Sequence, residues 1–200
     1  MQDTYRTIEA PTEGLYKEKG SKFIALAYPA YTEDEVKDIL AEVKKKYYDA
    51  RHHCYAYVLG ADKNRYRAND DGEPNHSAGD PILGQIRSAD LSNVLVIVVR
   101  YFGGTKLGVS GLITAYKAAT ADALAQATII EMHETILLQA HYAYPQMNDV
   151  MSLVKEYDLP VRDQQFELDC KLTLEVRKTL QEEVTGKLED TEGVKVKVLK

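Results

Sequence analysis

The sequence predicts an α+β protein built as two domains, and three observations lead there. Segments with helical spacing of apolar residues alternate with short segments of strand character along all 200 residues. Asn93–Tyr101 carries apolar residues on both parities, as a central strand covered on both faces would. The pattern restarts at Thr135, after a boundary placed in Met132-His133-Glu134. The expected domains are therefore residues 1–134 and 135–200.

Taken in order, Tyr5–Ala10 and Leu15–Glu18 read as short strands about a turn at Pro11-Thr12-Glu13-Gly14, and Ser21–Tyr28 as a third strand. Thr32 and Glu35 form a capping box, in which each side chain satisfies the other's exposed N–H. Val36, Ile39, Leu40, Val43 and Tyr47 then recur at helical spacing. His52–Gly60 alternates, with His52, Cys54, Ala56 and Val58 on one face and His53, Tyr55, Tyr57 and Leu59 on the other. Arg65–Ala68 leads into Asn69-Asp70-Asp71-Gly72-Glu73-Pro74, where Asp-Gly and Pro are turn chemistry. A short helix is expected over Pro81–Ser88, capped by Asp80. After Asn93–Tyr101 and the turn at Phe102-Gly103-Gly104, a long helix is expected to about Ala127. Its buried side is marked by Leu107, Leu112, Ile113, Tyr116, Ala119, Ala123 and Leu124.

Beyond Thr135 the reading is strand Ile136–Tyr144, a helix opened by Pro145, and strands Pro160–Phe166 and Glu167–Glu175. A helix on Val176, Leu180, Val184 and Leu188 and a strand Val194–Leu199 follow. That order is βαββαβ, the split arrangement of ferredoxin-like domains. The alternating lysines of the last strand suit a sheet edge.

Composition narrows the function. The longest apolar run, Val94–Val99, is far short of the roughly 20 residues a membrane helix needs, so no membrane association is expected. The first residues lack a basic start and an apolar core, so no secretory signal is expected. Cys54 and Cys170 are the two cysteines and make no disulfide framework, which favours the cytoplasm. The net charge is −6, shared equally by the two parts, so any nucleic-acid contact has to be local. Lys44, Lys45, Lys46, Arg51, Lys63, Arg65 and Arg67 supply such a stretch, or else a solvated helix end with scattered surface charge.

The chemistry concentrates between Asp70 and Tyr116. Arg100-Tyr101-Phe102-Gly103-Gly104-Thr105-Lys106-Leu107-Gly108 takes the chain from a strand through glycines into a helix. Unpaired N–H groups there, with Arg100 and Lys106, suit phosphate or carboxylate. Neither the phosphate-loop spacing nor the dinucleotide glycine pattern is present. Gly108 and Gly111, in the first turns, each cost about 1 kcal/mol relative to Ala unless something approaches closely. Tight helix–sheet packing is the structural alternative. Asp70, Asp71 and Glu73 could hold Mg²⁺ or work as acid and base; equally, Asp70 could form an Asx-turn and Glu73 pair with Arg100. Ser77 beside His76 is more readily a backbone-bonding serine than a nucleophile. His52, His53, Cys54 and His76 lack the spacing of a zinc site. No cofactor and no metal is implied.

These residues resemble a known family. Asp70-Asp71-Gly72-Glu73-Pro74, then Ala78-Gly79-Asp80-Pro81, then Val98-Val99-Arg100-Tyr101-Phe102-Gly103-Gly104-x-Lys106-Leu107-Gly108 are similar to the IMPACT/YigZ family. Gly20-Ser21-Lys22-Phe23-Ile24-Ala25 and His53-Cys54-x-Ala56-Tyr57 fit its upstream blocks. The resemblance covers about residues 15–128, and the tail from 135 is similar to the extra domain of bacterial members. It implies a ribosomal-protein-S5 domain-2-like fold, then a ferredoxin-like domain similar to the last domain of elongation factor G. Eukaryotic relatives act in translational control by binding a protein that activates an initiation-factor kinase; bacterial members have been proposed to bind nucleic acid or the ribosome. The chain departs from the pattern at His76-Ser77, Val109-Ser110-Gly111 and Lys117, where bulkier side chains narrow any groove.

The reading drawn from this is a cytoplasmic, translation-associated regulator rather than an enzyme. It would meet RNA, the ribosome or a translation-related protein through Arg100–Gly111 and Asp70–Glu73. Arg100 and Lys106 would face phosphate or acidic groups, Tyr101 would offer a stacking face, and Ser77, Gly103, Gly104, Gly108 and Gly111 would shape the surface. The competing reading is an enzyme on a small anionic substrate, with Gly103–Gly108 as cradle and Asp71 or Glu73 as base or metal ligand. Oligomeric state is not legible.

Overall fold

A computed structural model describes residues 3–167 and 169–199; Leu168, inside the expected Glu167–Glu175 strand, lies outside them. The chain divides into two compact units, one of residues 4–132 and one that joins Asp3 to the residues from His133 onward.

The first unit runs β1 (Thr4–Ile8), β2 (Thr12–Glu18), β3 (Ser21–Pro29), α1 (Glu33–Lys46), β4 (His52–Leu59), β5 (Arg65–Asn69), α2 (Gly79–Ser88), β6 (Val94–Tyr101), α3 (Gly108–Ala125) and β7 (Ile129–His133, its last residue in the second unit). Five strands form an antiparallel sheet in the order β2-β3-β6-β4-β5. The strand that is apolar on both parities is its centre. Val94, Val96 and Val98 pack with Cys54, Ala56 and Val58 beneath α2 and α3. Leu95, Ile97 and Val99 pack with Tyr57, Leu59 and the α1 residues Val36 and Val43 on the other face. One sheet thus lies between two helical layers, which is what removing both faces of β6 from water requires.

Local chemistry departs from expectation at several points. Thr12–Gly14 is not a turn but part of β2, which pairs with β3, while β1 pairs with β7. Gly14 explains this: a Cβ there would lie 2.2 Å from the Ala123 nitrogen, so its absence lets β2 press on the α3 backbone. Leu15 N–H donates to Asp122 at 2.8 Å and the Thr12 hydroxyl to the Ala123 carbonyl at 2.9 Å, which closes this edge of the sheet. Thr32 caps α1 through Glu35 N–H as expected, but Glu35 returns its bond to Tyr31 N–H instead of Thr32. Helix α2 begins at Gly79, so Asp80 sits in its first turn and does not cap it. Helix α3 begins at Gly108, four residues later than the glycine pair suggests.

The second unit runs β8 (Thr135–Tyr142), a 3₁₀ turn (Tyr144–Gln146) continuing into α4 (Met147–Glu156), β9 (Val161–Gln165), β10 (Cys170–Arg177), a 3₁₀ turn (Lys178–Leu180), α5 (Gln181–Glu189) and β11 (Lys195–Leu199). The four strands are antiparallel in the order β11-β8-β10-β9. Leu138, Ala140, Leu172, Leu174 and Val176 pack against Val150 and Val154 of α4 and Val184 and Leu188 of α5. Val176 therefore belongs to a strand, not to the helix that its four-residue spacing suggested. The register of β10 carries it into this core.

Candidate functional site

In the register of the first unit, His52 on β4 lies opposite Arg100 on β6, and both face α3. The strand ends, the 70–74 turn and the start of α3 enclose a cleft of about 510 Å³. Glu73 and Arg100 lie at its base, Phe102, Leu107, Val109 and Leu112 form an apolar wall, and Arg51 and Lys106 stand at the rim with His52. Arg51 and Lys106 make no ion pair among the described residues, and Phe102 and Val109 are exposed.

The base of the cleft is a closed polar network. Arg100 donates to Glu73 Oε1 at 2.6 Å, and the Tyr116 hydroxyl donates to the same oxygen at 2.8 Å. Both members of the ion pair are buried. The Cys54 thiol donates to the Asp70 carbonyl at 3.0 Å and lies 3.3 Å from the Tyr116 hydroxyl. Burial pushes both the Cys54 thiol and the Tyr116 hydroxyl far above their ordinary values, so both stay protonated. The Arg100 guanidinium sits 5.5 Å from the Phe23 ring centre and 5.7 Å from that of Phe102. Its Nε is buried and has no hydrogen-bond partner among the described residues.

The acidic turn faces inward. One Asp70 carboxylate oxygen accepts the N–H groups of Ala78 (3.0 Å) and Gly79 (2.8 Å), and the other accepts His76 N–H at 2.9 Å. Asp70 thus caps α2 from outside the helix, the task expected of Asp80. Asp71, at φ 40°, accepts His53 N–H at 2.7 Å, with Lys44 at 3.8 Å. The Ser77 hydroxyl is buried and donates to the Pro74 carbonyl at 2.6 Å. The His76 ring pairs with Asp80, not with Ser77, and that bond raises its pKa.

The remaining expected residues separate. Tyr101 lies on the opposite sheet face, against the α1 layer, and donates to Asp49 at 2.8 Å. Desolvation, then that bond, pushes its hydroxyl up to about 12. The aromatic face in the cleft is Phe102 instead. Gly103 is where the loop crosses Gly20: a Cβ there would lie 1.9 Å from the Gly20 carbonyl carbon. Gly104 and Gly108 hold φ of 90° and 73°, and Gly108 lines the cleft. Gly111 lines a second, shallower hollow of about 300 Å³ with Tyr16, Lys19 and Leu107. Of the expected set, Glu73, Arg100, Lys106 and Gly108 converge on the main cleft. Arg51, His52, Pro74, Phe102, Leu107, Val109 and Leu112 complete it. Arg51 lies in the expected basic stretch, Phe102, Leu107 and Val109 in the expected Arg100–Gly111 segment and Leu112 on the expected buried side of the long helix, while His52 is expected only as a strand residue.

Residues 19–124 match the Impact N-terminal domain. The chain is 31% identical to the IMPACT family member YvyE of Bacillus subtilis over 78% of this chain and 72% of that protein. It is 30% identical to the IMPACT family member YigZ of Escherichia coli over 90% of each. Against Protein IMPACT of Rattus norvegicus the identity is 32% over 46% of this chain and 30% of the rat protein. A crystal structure described as that of a hypothetical protein superposes over all of this chain and 99% of its own, with a TM-score of 0.75 and 26% identity.

Proposed function

The chain belongs to the IMPACT family, and on that premise we propose a cytoplasmic, translation-associated regulatory protein that binds RNA through the Arg51–Lys106 cleft. The observation that carries this reading is the pair of rim cations that make no ion pair among the described residues, beside an apolar wall with Phe102 exposed on it. Cations meet phosphate and Phe102 offers an apolar face to a base. Residues 1–134 are read as an S5 domain-2-like unit and 135–200 as a ferredoxin-like one. The sheet order β11-β8-β10-β9, with both helices on one face, supports the latter.

The enzyme alternative is weakened by the placement of its candidate bases. Glu73 is held by Arg100 and Tyr116, and Asp71 is held by a backbone N–H.

The test is binding of a fluorescent structured RNA across a salt series, with Arg51→Ala/Lys106→Ala as the variant. Arg100 is the wrong residue to remove, because its loss strands a buried carboxylate. Binding that weakens with salt is expected, with a log–log slope shallower by about 2 in the variant. An identical slope, or no salt-sensitive binding by the wild type, overturns the reading.

A further inference from the structure

The second unit sorts its charge by face. Residues directly opposite in an antiparallel ladder point to the same side, so the register defines rows across its sheet. Val196, Ala140 and Leu172 form one row, turned toward α4 and α5. The neighbouring row, on the face that no helix of this unit covers, is Lys195, His141, Lys171 and Gln165. The next row on that face is Lys197, Gln139, Thr173 and Asp163.

Lys171, Lys195 and Lys197 make no ion pair among the described residues. Glu175, on the same face, is taken by Arg162. Asp163 sits opposite Thr173, on the far strand from Lys195 and Lys197. The helices on the other face carry Asp149, Glu156, Glu182, Glu183 and Glu189, against Lys155 and Lys187. A part of the chain that is net acidic therefore has a sheet face, free of its own helices, on which lysines outnumber free acids.

That face is also built with donors. The His141 ring donates through Nε2 to Gln139 Oε1 at 2.8 Å, and the Gln139 amide reaches the Thr173 hydroxyl at 3.4 Å. The two bonds orient the imidazole between Lys195 and Lys171, so the row offers cation, imidazole, cation across ~10 Å. Lys195 and Lys197 recur on the same strand ~7 Å apart. Like charges this close, without counter-charge, raise the energy of the isolated sheet, and an anion laid across them relieves it.

We propose that this face is a second RNA contact surface, which reads the phosphodiester backbone without base specificity. RNA is favoured over a lipid surface because these two rows are polar, the apolar pair Leu137 and Leu199 being confined to the next row beside Glu175. No aromatic side chain stands in them, so backbone contact and not stacking is its mode. The inference stands independently of the cleft in the first unit.

The experiment measures structured-RNA binding by fluorescence anisotropy from low to moderate salt. It compares wild type, Lys171→Ala/Lys195→Ala/Lys197→Ala, the corresponding Lys→Arg triple variant and the cleft variant Arg51→Ala/Lys106→Ala. The alanine triple is expected to lose about tenfold or more in affinity near 0.1 M salt and to flatten the log–log slope by about 2–3. The arginine triple keeps wild-type binding, which a merely structural role for the lysines would not predict. Amide shifts of residues 171, 195 and 197 on RNA titration give a readout that survives any loss of stability. Wild-type affinity in the alanine triple, with loss in the cleft variant, overturns this surface and leaves the cleft. Unmoved amides, or tighter binding of a polyglutamate probe than of RNA, overturns it too.

Discussion

At the scale of single residues, the acidic turn shows why a carboxylate cluster is ambiguous until its hydrogen bonds are known. Asp70 reaches three backbone N–H groups at the entry to α2, so it replaces the side-chain cap that Ala78 cannot supply. Asp70→Ala should lower stability by about 1–2 kcal/mol in urea unfolding, with Asp70→Asn recovering part of it. Glu73 sits deeper. It is the buried acceptor for a guanidinium and a phenol at the base of the cleft, so Arg100→Ala should cost about 3–5 kcal/mol by leaving its charge uncompensated. A smaller cost, under about 1 kcal/mol, would mean that the pair is solvated in solution. Cys54 belongs to the same network, and its raised thiol pKa makes it inert. Alkylation at pH 8 should follow global unfolding, measured by mass-spectrometric labelling against denaturant; fast labelling of the native protein would contradict the burial.

Among the elements, glycines divide into those that backbone contact demands and those that nothing demands. Gly14 and Gly103 stand where a Cβ would fall within 2.2 Å and 1.9 Å of another backbone atom. Gly14→Ala should therefore push β2 off α3 and cost about 1–3 kcal/mol as overpacking does. A Cβ at Gly84 in α2 or Gly186 in α5 would meet no neighbouring element within 4 Å among the described residues, so alanine at either should stabilise by about 0.5–1 kcal/mol through helix propensity. Thermal unfolding of the three variants checks both signs. The contrast bears on the cleft, because the Gly103–Gly20 crossing fixes where Phe102 and Lys106 emerge from the end of β6. Helix α3 starting at Gly108, not beside Gly104, leaves a six-residue loop after Tyr101 to carry those side chains.

For the whole molecule, the second unit is tied at both ends of the sequence. Asp3 is buried and accepts from the Arg177 guanidinium at 2.8 Å and from the Thr179 hydroxyl at 2.6 Å. The Arg177 bond, foremost, holds its carboxyl well below the ordinary 3.8. A depressed carboxylate contributes stability that is present above the unfolded value and is lost as pH falls below it. Asp3→Asn should thus destabilise by about 1.5–3 kcal/mol at pH 7 and show a weaker decline of stability below pH 4, read from denaturation midpoints across pH. An unchanged acid slope would place the sensitivity elsewhere. Much of the architecture was legible from the chain: apolar periodicity marked β6 as a covered centre and the restart at Thr135 as a βαββαβ run, because burial imposes a period that a linear pattern records. The motif between Asp70 and Gly111 was legible as a dense set of special residues. Its division of labour was not. Whether Tyr101 or Phe102 faces the cleft depends on one residue of strand parity, and whether Asp70 or Asp80 caps α2 depends on a contact made eight residues back. Val176 fits a helix and a strand equally in spacing, and only pairing across β8 decides. Sequence by itself determined which segments must leave water, since burial leaves its period in the local apolar pattern. Tertiary structure alone decided which carboxylates are occupied and which cations stay unpaired, since both are properties of neighbours distant in the chain.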